Sequence, residues 1–339
     1  MILRPKSLSR HPGPLPGATT ATPAVLVPTW LRRAVPDAQS FARNDVEDVA
    51  LVAGAAIGAL DQVVRRHERW AGAWRQRLAL SAAVMTAKRV GRIEEEAALR
   101  DAVLLTKPGD DVGPAGRMLM AWRRLAGMPA EKLLTEASIS AAMDDLGLAR
   151  DAVSVSDLTD DLRQLSAGAG TVGMMTGAIA IAERRGYGRA LGAWFADALL
   201  AQRLGWAHAV PLLGAEVTAG IGIRRLRRSG TGIAAASIED EGDRAKSQLA
   251  AQTRAAFRAI DLSAELGRRS ERLLAVAPKL RARASDLVVE RLLADDAIVA
   301  SEKIVGMSDR GLRRLFDRLV SLNAVRELTG RHTFRIYGL

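Results

Sequence analysis

Three groups of residues in this 339-residue chain have types and spacings that could do chemistry. The first is a set of carboxylates. Asp110 and Asp111 lie in the turn sequence KPGDDVGP (107–114), with Glu94, Glu95, Glu96 and Asp101 a short way upstream. Such groups can hold Mg²⁺ or exchange protons with a substrate. Adjacent acids in a Pro/Gly-rich turn more often cap the next helix and solvate the loop, and that reading is the stronger of the two. The second group is GAGTVG (168–173), which has the spacing of a dinucleotide-binding loop. That loop needs a buried strand before it and a helix after it, so that glycines bring a pyrophosphate onto helix N–H groups. The preceding DDLRQ (160–164) is charged and helical in pattern, so the strand is missing and no cofactor is expected.

The third group is basic. Arg310, Arg313, Arg314 and Arg318 follow Ser308 at helical spacing, and Arg331, His332 and Arg335 follow in the last nine residues. Arginines on the first turns of an exposed helix can reach base edges, and a guanidinium can hold guanine through two parallel hydrogen bonds. Arg331, His332 and Arg335 suit phosphate contacts, which add salt-dependent affinity without sequence information. No other constellation stands out. His11, His67, His208 and His332 are scattered, and the chain has no cysteine. A metal site, a thiol nucleophile and a disulfide framework are therefore not expected. A phosphate-binding loop of the GxxxxGK[ST] kind is missing too, and the chain is read as non-enzymatic.

The elements that would position the basic group form a recognisable order. Residues 284–294 read as a first helix ending in Asp295 and Asp296, and about 300–305 as a short second helix. Gly306 then allows a sharp turn, and Ser308 can cap the next helix by accepting a backbone N–H bond. The third helix, 309–322, has Leu312, Leu315, Phe316, Leu319 and Leu322 on its buried face. Its other face carries the arginines and Asp317. Gly311 within it costs roughly 1 kcal/mol against alanine and is expected to loosen it. Asn323 ends that helix, 325–328 reads as a strand, 329–332 as a turn and 333–337 as a second strand. Three helices followed by a hairpin is the order of a winged helix-turn-helix, whose third helix enters the major groove. Glu302, where a small residue is usual, and Asp317 on the proposed DNA face are departures.

Upstream, the fold class expected is mainly α, a multi-helix domain followed by this module. Residues 1–44 are expected to form a disordered, Pro/Gly-rich leader: residues 1–36 hold seven of the 12 prolines and no acid. Residues 45–228 form a helical domain, 229–242 a loop or linker, 243–278 a long helix and 279–339 the module. Within the domain, helices read at about 45–60, 70–90, 93–105, 116–125, 131–145, 156–166, 172–185, 189–204 and 210–228. Gly54 and Gly58 would let another helix approach closely. Trp70 and Trp74, one turn apart, read as core or interface surface. No internal repeat is evident.

Composition narrows the class further. Hydrophobic residues make up 48% of the chain but aromatics only 4%, so the core is expected to be aliphatic and alanine-rich. From Arg224 onward the chain has 23 Lys and Arg against 15 Asp and Glu, a net +8 of the whole chain's +11. A concentrated positive field favours nucleic acid first and an anionic membrane surface second. The alternative is that arginine merely solvates helix faces. The best apolar run, 49–60, falls short of the roughly 18–20 residues that span a bilayer. A membrane partner is not expected, and a cytoplasmic location is.

Several stretches resemble domain-of-unknown-function family 1403, which is mainly alphaproteobacterial: WAGAWRQRLAL (70–80), EEAALRD (95–101), PGDDVGPAGRMLMAWRR (108–124), ALLAQRLGWAHAVPLL (198–213), LLAVAPKL (273–280) and the closing MSDRGLRRLFDRLVSLNAVRELTGRHTFRIYGL (307–339). The resemblance implies a class without an assigned activity. RELTGR (326–331) is also similar to the winged helices that close some Fic-domain proteins. The Fic active-site sequence is absent, so nucleotidylyl transfer is not implied. The reading of the whole is a DNA-binding transcriptional regulator that uses Ser308, Arg310, Arg313, Arg314, Arg318, Arg331, His332 and Arg335 on double-stranded DNA, with a homodimer contact in the helical domain. The alternative is a protein-interaction or scaffold protein whose winged helix binds an acidic partner.

Overall fold

The computed structural model describes residues 27–34, 45–107, 109–216, 241–330 and 334–339. The described part is mainly helical, with one small sheet near the C-terminus. Helix starts follow local chemistry. Thr135 caps the helix Glu136–Asp145 by accepting from Ser138 N at 3.4 Å, and Asp151 caps Ala152–Gly168 by accepting from Ser154 N at 2.7 Å. Pro114 sits in the first turn of Gly113–Gly127, where its missing N–H is no loss.

In chain order the helices are α1 (Thr29–Arg33), α2 (Val46–Val64), α3 (Ala71–Arg89), α4 (Glu96–Leu104), α5 (Gly113–Gly127), α6 (Glu136–Asp145), α7 (Ala152–Gly168), α8 (Thr171–Arg184), α9 (Gly188–Arg203), α10 (Glu241–Val276), α11 (Ser285–Ala294) and α12 (Asp309–Ser321). α3 packs on α4, α5, α10 and α11, α8 pairs with α9, and α10 lies along α2 and α8. The long helix therefore belongs to the body as well as leading to the terminal module.

The core is aliphatic with a few tryptophans. Trp74, Trp122 and Trp194 are buried, and each ring N–H is satisfied. They donate to Ala259 O at 2.9 Å, Thr86 Oγ1 at 2.9 Å and Ala121 O at 3.0 Å. Gly214 lies beneath Trp122, where a Cβ would stand 2.3 Å from the ring. Trp70 is half-buried against Gly267 of α10, so both residues of the expected pair serve packing.

Four expectations change. The stretch taken as leader contains α1, whose Leu31 is buried and whose Arg32 binds Asp261 of α10 at 2.6 and 3.1 Å. The helix expected at 210–228 does not start there: the chain is irregular and then makes a 3₁₀ turn at Leu213–Ala215. The buried carboxylate of Asp197 accepts from Leu212 N at 2.8 Å and Leu213 N at 3.1 Å, which holds these amides outside a helix ladder. Gly54 and Gly58 have no helix against them among the described residues: none of these lies within 4 Å of a Cβ built on either. The short helix expected at 300–305 is replaced by turns that follow the two-residue strand Ile298–Val299. The rest of the leader and residues 217–240, including most of the expected linker, lie outside the described residues.

GAGTVG runs from the last residue of α7 into α8, with no strand before it. Asp110 and Asp111 are exposed. Asp111 accepts from Gly113 N at 2.9 Å and lies 4.0 Å from Arg117, as a turn carboxylate does. No helix among the described residues is long and apolar enough to cross a membrane, and these residues hold no group of three or more His, Asp or Glu placed to share a metal.

Candidate nucleic-acid interface

α12 is the most sharply two-faced helix of the C-terminal module. Ser308 caps it, its hydroxyl accepting from Gly311 N at 3.1 Å, and Asp309 adds a favourable negative charge to the first turn. Gly311 has a local reason. A Cβ there would come within 3.2 Å of the capping oxygen, so glycine gives the cap room. Asn323 at φ +53 turns the chain out of the helix.

Leu312, Leu315, Phe316 and Leu319 are buried, and Phe316 stacks on Tyr337 with ring centroids 4.2 Å apart. Tyr337 lies on the central strand of a three-stranded antiparallel sheet. The strands are β1 (Ile298–Val299), β2 (Arg326–Glu327) and β3 (Ile336–Gly338), in the order β1-β3-β2. The register pairs Ile298 with Tyr337 and Glu327 with Tyr337 on opposite sides. β1 was not legible in the sequence: it is two residues long, and its neighbour at 300–305 read as helix. After β1 the backbone makes turns, with Ala300 N donating to Arg335 O at 2.8 Å. That bond draws the segment onto the sheet, away from a helical ladder. Glu302 there lies 3.3 Å from Arg291.

Arg310, Arg313, Arg314 and Arg318 are exposed on the face opposite the buried leucines, and none has a carboxylate partner among the described residues. Ser308 is exposed as well but is engaged in the cap. Arg335 is differently placed. It is half-buried and lies 3.8 Å from both Asp317 and Glu327, so its charge is shared with two acids of its own module. Arg331 and His332 lie outside the described residues. Two basic residues were missed in the sequence. Lys303 is exposed in the turns before α12, and Arg283 approaches Gly306, its Nε 3.8 Å from a Cβ built there. The signal for the second was the Arg281-x-Arg283 pair after Pro278.

The module is held to the body at its opposite end. Asp296 is 1% exposed; Arg77 of α3 donates to one carboxylate oxygen and Arg100 of α4 to the other, at 2.6 Å. Burial raises this carboxyl, and the two arginines outweigh it, leaving it below the ordinary aspartate value. The backbones touch as well: a Cβ on Gly72 would stand 2.5 Å from Ala294 O. Arg269 of α10 donates to Leu339 O at 2.8 Å, and Leu339 is buried.

Searches of curated proteins and of solved structures found no match to the chain. A family model described as protein of unknown function (DUF1403) matches residues 17–339, and the chain belongs to that family.

Proposed function

We propose that residues 279–339 form a winged helix-turn-helix that binds double-stranded DNA, and that the protein is a non-enzymatic transcriptional regulator. One observation carries this reading: four exposed arginines, without acidic partners among the described residues, stand on α12, whose other face is buried on the module's sheet. The element order α11, β1, α12, β2, β3 with β3 central supports it, the usual second helix being reduced to turns. In such modules the last helix lies in the major groove. Arg310, Arg313 and Arg314 then reach base edges, each bidentate contact to guanine being worth about 1–3 kcal/mol of discrimination. Arg318, Lys303 and Arg283 add phosphate contacts. A homodimer contact in the helical body and a cytoplasmic location belong to the same reading.

The test is selection from random duplex DNA with the full chain. A motif should be enriched, and Arg313→Ala/Arg314→Ala should weaken binding to it by about tenfold or more and flatten the salt dependence. Unchanged affinity in the double variant overturns the assignment. A second reading, a protein-interaction module for an acidic partner, draws on two apolar side chains of the same module: Val305 is 85% exposed and Phe334 65%. It expects no enriched motif and one dominant co-purifying protein.

A further inference from the structure

The helical body contains a cavity of about 420 Å³ between α2, α8, α9 and α10, within the size range of small-molecule sites. Its walls are mostly apolar: Ala53, Ile57, Val172, Met175, Leu200 and Leu249 face it. Gly54 and Gly58 face it too. They form a glycine step on α2 against which none of the described residues packs, so their missing side chains leave space in the cavity rather than room for a helix. At the rim, Asp61 and Arg65 are fully engaged. Arg65 donates to Asp61 at 2.7 Å and to Leu204 O at 2.8 Å, and Trp206 donates to Asp61 at 2.8 Å.

One polar group of this wall has no such partner. Gln252 of α10 is 1% exposed; its amide nitrogen lies 2.9 Å from Met175 Sδ, but its buried Oε1 receives no hydrogen bond among the described residues. An unsatisfied buried acceptor is costly, and a buried carboxamide in a wall of aliphatic side chains has no packing advantage over leucine or methionine. We propose that this cavity binds a small apolar molecule bearing a hydroxyl or N–H group, which donates to Gln252 Oε1 once that carboxamide, now just beneath the wall, turns toward the cavity, while the body of the molecule lies along the Gly54/Gly58 step. The site is separate from the basic face of α12 and stands or falls independently of DNA binding.

The probe is N-phenyl-α-naphthylamine, two apolar ring systems joined by one N–H, followed by its fluorescence on binding to the full chain. α-Benzylnaphthalene, which has the same shape and no N–H, serves as competitor. Wild type should bind the amine saturably at one site with a micromolar dissociation constant, and prefer it to the hydrocarbon by about tenfold. Gln252→Leu should abolish that preference while retaining binding. Gly54→Leu/Gly58→Leu should abolish binding of both. Because both glycines are exposed within a helix, that variant should melt no lower than wild type, so loss of binding there is not loss of fold. Absence of saturable binding to wild type, binding that survives in the glycine variant, or a preference unchanged in Gln252→Leu overturns the assignment. So does a wild-type dimer that dissociates when the glycines are filled, which would seat a second copy in the cavity.

Discussion

On α3 and α4, Arg77 and Arg100 converge on the buried carboxylate of Asp296; on α12, Arg310, Arg313, Arg314 and Arg318 face solvent with no acid beside them among the described residues. Both sets are arginines on helices, and in the sequence nothing marks one from the other. A buried guanidinium must be paired, because the desolvation cost of the bare charge is several kcal/mol. An exposed one needs no partner and remains available to a polyanion. The neighbour, not the residue type, separates an arginine that holds two parts of the fold together from one that can meet a ligand.

The largest way to test that contrast is to remove the acid of the buried set. Asp296→Ala leaves Arg77 and Arg100 uncompensated and should lower stability by about 3–5 kcal/mol, measured by denaturant unfolding of the full chain. The same carboxylate sets a pH dependence. Its folded value is lowered, so its contribution is present above the ordinary aspartate range and is lost as pH falls through the folded value. Asp197 works in the opposite sense. Burial pushes it well above the usual value, against the pull of the Leu212 and Leu213 amides, so its contribution is present at low pH and lost as pH rises through its folded value. Acid unfolding that begins at the same pH in Asp296→Ala as in wild type would remove Asp296 from this role.

A smaller loss is expected where the module and α3 touch backbone to backbone. Gly72→Ala places a Cβ against Ala294 O and should cost about 1–3 kcal/mol, read as a lower Tm. The smallest effect belongs to the exposed set. Arg313→Ala/Arg314→Ala should change stability by no more than about 0.5 kcal/mol. A larger loss would mean that these side chains support the fold, and the contrast with Arg77 and Arg100 would disappear.

Much of the architecture was legible residue by residue. The apolar stripe of α12, its Ser308 cap and the Asn323 stop follow from local rules, as do α3, α8, α9 and α10. The alternation near the C-terminus located β2 and β3 to within a few residues. β1 was not legible, because two residues carry no periodicity, and the turns at 300–305 were misread because their backbone is drawn to Arg335 O by a long-range bond. The candidate basic face was readable because its residues sit on one helix. The cavity was not, since four helices distant in sequence must assemble before Gln252 and the Gly54/Gly58 step share a wall.

By itself the sequence determined the helix periods, the caps and stops, the aliphatic character of the core and the positive bias of the C-terminal third, since each depends on residues within a few positions of one another. Only the tertiary structure decided that Asp296 is a buried ion-pair centre rather than the end of a helix, that Arg335 is shared with Asp317 and Glu327, and that Gly54 and Gly58 border open space. Those outcomes depend on burial and on partners more than a hundred residues away in the case of Asp296, and the energy of a charge or an empty volume is set by what surrounds it.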